Sequence, residues 1–96
     1  SSRKILSGMV YQRMGYVYAA QGKLDEALRS FTNAESLTGT GLATLELARI
    51  YERSGNIEEA RKKYKELTEK LPATTFALEA RTKLQPPDDP LGATSK

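Results

Sequence analysis

The sequence predicts an all-α fold in which antiparallel helix–turn–helix repeats stack side by side. One observation is a pattern of small and aromatic residues that occurs twice at a constant interval, which we call the repeat period. The matched positions are Gly15, Tyr18, Gly22, Leu24, Ala27 and Phe31 in the first copy and, in the same order, Ala48, Tyr51, Gly55, Ile57, Ala60 and Tyr64 in the second. Both copies also place apolar residues at spacings of three and four, which indicates helices with one buried face. A fixed period of about 20 to 50 residues is typical of stacked repeats.

The first repeat, expected at about residues 8–40, contains two predicted helices. Residues 4–21 carry apolar side chains near helical spacing, and Gly22 supplies a flexible stop. A second helix is predicted over residues 24–37. Asp25 and Glu26 stand in its first turn, where the helix dipole favours negative charge. The short turn makes the two helices antiparallel.

The second repeat, expected at about residues 41–73, follows the same plan. Thr40 is a predicted N-cap for a third helix that reaches about residue 54, and Gly55 ends that helix. Asn56 is a predicted N-cap for a fourth helix over residues 57–71, which Pro72 stops.

A shorter fifth helix at about residues 74–84, capped by Thr74 or Thr75, is expected to close the stack. Residues 85–96 contain three proline and two aspartate residues among small polar ones, which predicts a disordered tail. The repeat domain is therefore expected to occupy residues 1–84.

The repeated residues have a packing explanation. Gly15 and Ala27 are small where two helices of one hairpin approach closely. Phe31 and Tyr64 are expected to reach between one hairpin and the next, because aromatic side chains bury a large area per residue.

Over about residues 8–73 the pattern resembles the tetratricopeptide repeat family, whose units are helix–turn–helix repeats of about 34 residues. Gly39 stands where that family has a closing proline, and Leu67 replaces its last small residue. The resemblance implies a short right-handed α-solenoid of about five helices that acts as a non-catalytic scaffold for protein–protein interaction.

In that family the first helix of each repeat lines a concave groove that binds an extended peptide or a partner helix. The resemblance implies groove positions at Gln12, Tyr16, Ala20, Leu45, Arg49 and Arg53. Tyr16 with Arg49 and Arg53 could hold an acidic peptide, since guanidinium groups bind carboxylates strongly. In the alternative interpretation, the two arginines pair with Glu46 and Glu52 and keep the groove solvated.

A different hypothesis assigns the segment a structural role. The first helix carries an apolar stripe ahead of the repeat motif, formed by Ile5, Leu6, Met9 and Val10. Such a stripe normally packs against a neighbour. We expect that neighbour to be either helices upstream, which would make the segment one end of a longer solenoid, or a second copy of the chain.

The composition of the chain argues against several other classes of function. The chain has no cysteine and no histidine, which are the commonest zinc ligands, so no metal or other cofactor is expected. The adjacent carboxylates at residues 58–59 and 88–89 have no predicted pocket, so catalysis is not expected. A net charge of +3 is too small to indicate nucleic acid binding, and no apolar stretch is long enough to insert into a membrane.

The fourth helix supports a further alternative, since residues 61–65 hold four basic residues that could bind an anionic partner. We expect these residues on the outer face of that helix. There the pairs Glu58–Lys62, Glu59–Lys63 and Glu66–Lys70 would partly neutralise them.

Residues 71–80 also resemble a junction found in bacterial cell-envelope tetratricopeptide proteins, where a proline and threonine stretch precedes an aromatic–alanine helix. That short resemblance implies a periplasmic rather than a cytoplasmic setting.

Overall fold

A computed structural model describes residues 2–86, which form five helices and no strand. The helices are α1 (Ser2–Ala20), α2 (Leu24–Thr38), α3 (Leu42–Arg53), α4 (Ile57–Lys70) and α5 (Thr75–Leu84). Each helix packs against the next one along the chain, and α3 also contacts α5. The prediction of an all-α repeat fold is confirmed. Most of the predicted tail, residues 87–96, lies outside the described residues.

The two turns within the hairpins are built in the same way. Gly22 and Gly55 have φ angles of +76° and +85°, in the left-handed region that favours glycine. After each glycine, the backbone N–H turns back to a carbonyl near the end of the preceding helix, Lys23 to Tyr18 and Asn56 to Tyr51. This bond satisfies carbonyls that a helix end leaves open. The repeat period therefore extends to the backbone hydrogen bonds.

Two apolar clusters form the core, one at each junction of the stack. The first cluster joins α2 to α3 and contains Ala27, Phe31, Leu47 and Ile50. The second joins α3, α4 and α5 and contains Leu45, Ala48, Ala60, Tyr64, Leu67 and Ala80. Phe31 and Tyr64 are each 1% exposed, as expected for residues that fill the space between hairpins. Tyr51 packs against both clusters and links them.

The helix N-termini differ in part from the sequence predictions. Thr74 caps α5 as predicted, since its hydroxyl accepts a hydrogen bond from Ala77 N–H at 3.3 Å. The prediction for Thr40 was wrong, because its hydroxyl donates to Glu66 of α4 and leaves α3 to begin after Gly41. At that end Gly41 N–H donates to the Thr44 hydroxyl at 3.0 Å. The Asn56 side chain makes no capping bond.

Candidate protein-binding surface

A chain of polar contacts crosses α1, α3 and α5. The Tyr16 hydroxyl donates to Glu46 Oε2 at 2.7 Å, and Arg49 Nη1 donates to the same oxygen at 3.1 Å. Arg49 Nη2 then reaches both carboxylate oxygens of Glu79 on α5, each at 2.8 Å. These bonds join α1 to α3 and α3 to α5, which are alternate helices of the stack. Tyr16 and Arg49, the predicted pair, both contact the carboxylate of Glu46.

These contacts favour the protonated forms of Tyr16 and Arg49. Burial, together with the hydrogen bond to Glu46, raises the pKa of Tyr16 to about 12, so its hydroxyl stays protonated at a higher pH than an ordinary tyrosine. The hydrogen bond to Glu79 raises the pKa of Arg49 further above its ordinary value.

The six predicted groove positions do not all reach the surface. Leu45 is 4% exposed and belongs to the core cluster under α5, so its assignment to a groove was wrong. Helix α3 is covered on one side by α2 and on the other by α4 and α5, which leaves few of its apolar residues open. Tyr16 is 41% exposed, and Gln12 and Ala20 also reach solvent.

The two predicted arginines have different environments. Arg49 is bound by Glu46 and Glu79, so the interpretation in which it pairs within its own helix holds in part. Arg53 does not pair with Glu52 and instead donates to the Ala19 carbonyl at 3.3 Å. Glu52 accepts from the Tyr64 hydroxyl at 2.8 Å and pairs with Lys83 at 3.6 Å. Arg53 is exposed and keeps donors for a further ligand.

Two shallow depressions flank one ridge on α1. Met9, Arg13 and Val17 line both depressions, and their four-residue spacing places them along one row of the helix. The depression on one side has a volume of about 510 Å³ and is also lined by Gln12, Tyr16 and Ala20. We call this the groove side of α1.

The depression on the other side of the ridge is larger and more apolar, at about 580 Å³. We call it the end face, and besides the ridge it is lined by Leu6, Val10, Met14, Tyr18 and Gln21. The predicted stripe is exposed at all four positions, with Ile5, Leu6, Met9 and Val10 between 56% and 61% exposed. Only Gly8 and Gly15 of α1 are buried.

The basic residues of α4 differ from the sequence predictions in their ion-pair partners and in their exposure. Lys70 pairs with Glu66 at 3.5 Å as predicted, but Lys62 pairs with Glu59 rather than Glu58. Lys63 is not on the outer face, because its ammonium pairs with Glu35 of α2 at 2.8 Å and its side chain is 23% exposed. Burial disfavours the charge on Lys63, but the contact with Glu35 outweighs burial and raises its pKa.

The described part of the chain shows neither a metal-binding cluster nor a membrane-spanning helix. Residues 2–86 contain no group of three or more acidic, cysteine or histidine residues that could hold a metal ion. None of the described helices is long and apolar enough to cross a membrane.

A sequence model described as tetratricopeptide repeat matches residues 18–84, which is more than half of the chain. The chain belongs to the tetratricopeptide repeat family. Tetratricopeptide repeats are protein–protein interaction modules and typically act as non-catalytic scaffolds. No curated protein matches this chain.

Sequence reasoning missed Glu79, which completes the polar network of this tetratricopeptide segment. The pattern that could have found it is the repeat period itself, since Glu79 follows Glu46 by one period, as Arg49 follows Tyr16. Both bonds, Tyr16 to Glu46 and Arg49 to Glu79, join residues that are equally far apart in the chain. One cross-helix contact thus recurs at each junction of the stack.

Proposed function

We propose that this chain binds a peptide or partner helix in a concave groove formed by α1 and α3, with Gln12, Tyr16, Ala20, Arg49 and Arg53 at or near the contact. The observation that carries this proposal is the repeated bond between alternate helices. These bonds link α1 to α3 and α3 to α5, which supports a binding surface that runs across the three helices. A rigid, pre-formed surface binds with a smaller ordering cost.

The chemistry of that surface favours a partner with both apolar and acidic groups. The groove side of α1 offers the Tyr16 ring and the ridge residues Met9 and Val17. Arg53 contributes the cation, since Arg49 is already occupied by two carboxylates. Arg49 therefore shapes the groove, and Arg53 is the guanidinium best placed to take a carboxylate of the partner.

The test begins with site-specific photo-crosslinking in the source organism, with a photoreactive residue at Ala20 and a control at Asn33 on α2. Both positions are exposed. Asn33 lies beside Arg29 on α2, whereas Ala20 lies on α1. We expect a cross-linked partner from position 20 and none from position 33. Equal cross-linking at both positions would contradict a specific groove.

The partner's affinity is then measured for purified variants. Tyr16→Ala combined with Arg53→Glu should weaken binding at least about tenfold, because it removes an aromatic contact and reverses one charge. Arg29→Glu is the matched control, since it reverses an exposed charge on α2. Arg49 is avoided as a test site because its loss would also disturb the packing of α5. Unchanged affinity in the double variant would move the binding surface elsewhere.

A further inference from the structure

We propose that the connection between the hairpins α1–α2 and α3–α4, residues 39–41, is a hinge whose angle is set by a polar latch. The latch consists of Glu35 on α2, Thr44 on α3 and Lys63 on α4. Because α1 belongs to one hairpin and α3 to the other, the same angle sets the width of the groove. That last step rests on the proposed function, whereas the hinge and the latch do not.

The connection has the composition of a hinge, since hinges are a few loop residues, often small ones, that absorb changes in φ and ψ. Two of its three residues are glycine, which restricts the backbone least. Gly39 has a φ of +85°, and a Cβ atom at Gly39 or Gly41 would meet no non-adjacent atom within 4 Å among the described residues 2–86. The next connection, residues 71–74, instead contains Pro72, whose ring fixes φ near about −65°. The backbone therefore restricts the first joint less than the second.

One carboxylate joins three helices at this first joint. Glu35 Oε1 accepts a hydrogen bond from the Lys63 ammonium at 2.8 Å, and Glu35 Oε2 accepts one from the Thr44 hydroxyl. Thr44 is 0% exposed, and the side chains of Glu35 and Lys63 are 16% and 23% exposed. Partial burial strengthens such contacts relative to the same contacts in water. The latch therefore connects the end of the first hairpin to both helices of the second.

The hinge residues are tied to the same cluster. Gly41 N–H donates to the Thr44 hydroxyl at 3.0 Å. The Thr40 hydroxyl donates to Glu66 at 2.8 Å, and Glu66 in turn pairs with Lys63 at 3.7 Å. Burial disfavours the charge on Glu66, but the Thr40 hydrogen bond and the nearby lysines outweigh burial and lower its pKa. Side chains of α3 and α4 thus hold the connection that its own two glycines leave free.

Apolar packing keeps the two hairpins together, but it selects one angle less strictly than the latch does. Phe31 of the first hairpin shares a core cluster with Leu47 and Ile50 of the second. Hydrophobic contact is non-directional, so such surfaces can slide by a small amount. Hydrogen bonds, in contrast, weaken steeply outside a narrow range of distance and angle. Loss of the latch should then loosen the angle between the hairpins while both remain folded.

The latch lies outside the groove, so it can regulate the groove without touching a partner. Its charged residues belong to α2 and α4, whereas the proposed contact residues belong to α1 and α3. Inside the groove, the hydrogen bond from Tyr16 to Glu46 crosses the same joint at 2.7 Å. A partner that takes the Tyr16 hydroxyl would break that bond and leave the latch in place. A latch that keeps most molecules at one angle raises the apparent affinity of a partner that needs this angle.

The experiment uses the absence of cysteine, since two introduced cysteines are then the only labelling sites. Spin labels at Gln21→Cys, just after α1, and Glu69→Cys on α4 report the distance between the hairpins by double electron–electron resonance. Both positions are exposed. In the latch variant, Glu35→Leu with Lys63→Met, we expect the width of the distance distribution to grow at least about twofold.

The matched control is Glu59→Leu with Lys62→Met, which removes an ion pair of 3.1 Å within α4. Its distance distribution should equal that of the wild type, because this pair does not cross the joint. Far-ultraviolet circular dichroism checks that each variant keeps its helices. If the latch variant loses helix, Lys63→Met alone replaces it and is compared with Lys62→Met, since the single change keeps the bond from Thr44 to Glu35.

The partner captured by cross-linking at Ala20 then tests the groove. Its affinity should fall at least about threefold in the latch variant and stay within about 1.5-fold in the control. An unchanged distance distribution in the latch variant would overturn the hinge and the latch. A broader distribution with unchanged affinity would overturn the regulation of the groove. If no partner is captured, the proposed function and this regulation fail together, and the distance measurement still decides the latch.

Discussion

At the scale of single residues, Gly15 sets the distance between the two helices of the first hairpin. A Cβ atom at this position would lie 2.7 Å from two ring carbons of Phe31, and Phe31 is 1% exposed in the core. The rings of Phe31 and Tyr16 also pack in a T-shaped arrangement, with ring centroids 5.2 Å apart. Because Gly15 has no side chain, α1 can lie close to the ring of Phe31.

Gly15→Ala should lower the free energy of unfolding by roughly 1–3 kcal/mol, because overpacking outweighs the gain in helix propensity of about 0.5–1 kcal/mol. Gly8→Ala is the matched control on the same helix. Its added methyl group would collide with Cγ2 of Thr38, an exposed side chain outside the aromatic core. Urea denaturation followed by circular dichroism measures both. If Gly15→Ala is as stable as the wild type or more stable, the Phe31 ring can move to accommodate the added methyl group, and the prediction is wrong.

At the scale of helices, α5 is attached by both apolar and ionic contacts. Ala77 and Ala80 are fully buried, and Ala80 belongs to the cluster with Tyr64 and Leu67. On the adjoining side, Arg49 of α3 binds Glu79 through both carboxylate oxygens. The small residues bring α5 close to α4, and the ion pair orients it against α3.

A double-mutant cycle with Arg49→Met and Glu79→Gln should give a coupling free energy of about 0.5–1 kcal/mol, the upper part of the range for solvent-exposed pairs. The two side chains are 41% and 33% exposed, so solvent screening keeps the value small. The control is Lys62 with Glu59, a more exposed pair within α4, where the coupling should stay below about 0.5 kcal/mol. Equal coupling in both cycles would mean that the Arg49 contact adds nothing specific to the docking of α5.

At the scale of the whole molecule, cohesion depends on contacts between neighbours in the stack. Stability in repeat proteins is roughly a sum of repeat and interface terms. Tyr51 has a special position, because it packs against both core clusters, while the equivalent Tyr18 packs against the first one alone. The unfolding of the two hairpins should therefore be coupled through Tyr51.

Tyr51→Ala should lower the free energy of unfolding by about 2–4 kcal/mol and broaden the urea transition, as the two hairpins begin to unfold separately. Tyr18→Ala should cost less and keep the transition sharp. Amide hydrogen exchange, read separately for α1–α2 and α3–α5, measures the loss of coupling. Equal losses in the two variants, with unchanged cooperativity, would contradict the linking role of Tyr51.

Much of the architecture could be predicted because its determinants are local. The spacing of Ala27 and Phe31 along one helix, and the glycines at 22 and 55, act within a few residues of one another. The site was predicted less completely. Leu45 looks like a groove residue on its own helix, but its burial depends on α4 and α5, which pack over it.

The sequence by itself determined the helices, their pairing into hairpins and the family, because a fixed repeat period requires each unit to bury its apolar stripe against the next. Only the tertiary structure decided which charges meet between different helices. Arg49 binds Glu79 and Lys63 binds Glu35 across separations in the chain that no helical spacing can indicate. The tertiary structure also decided which apolar residues stay open, since α2 covers Leu47 on α3, whereas Met14 at the equivalent position of α1 remains exposed.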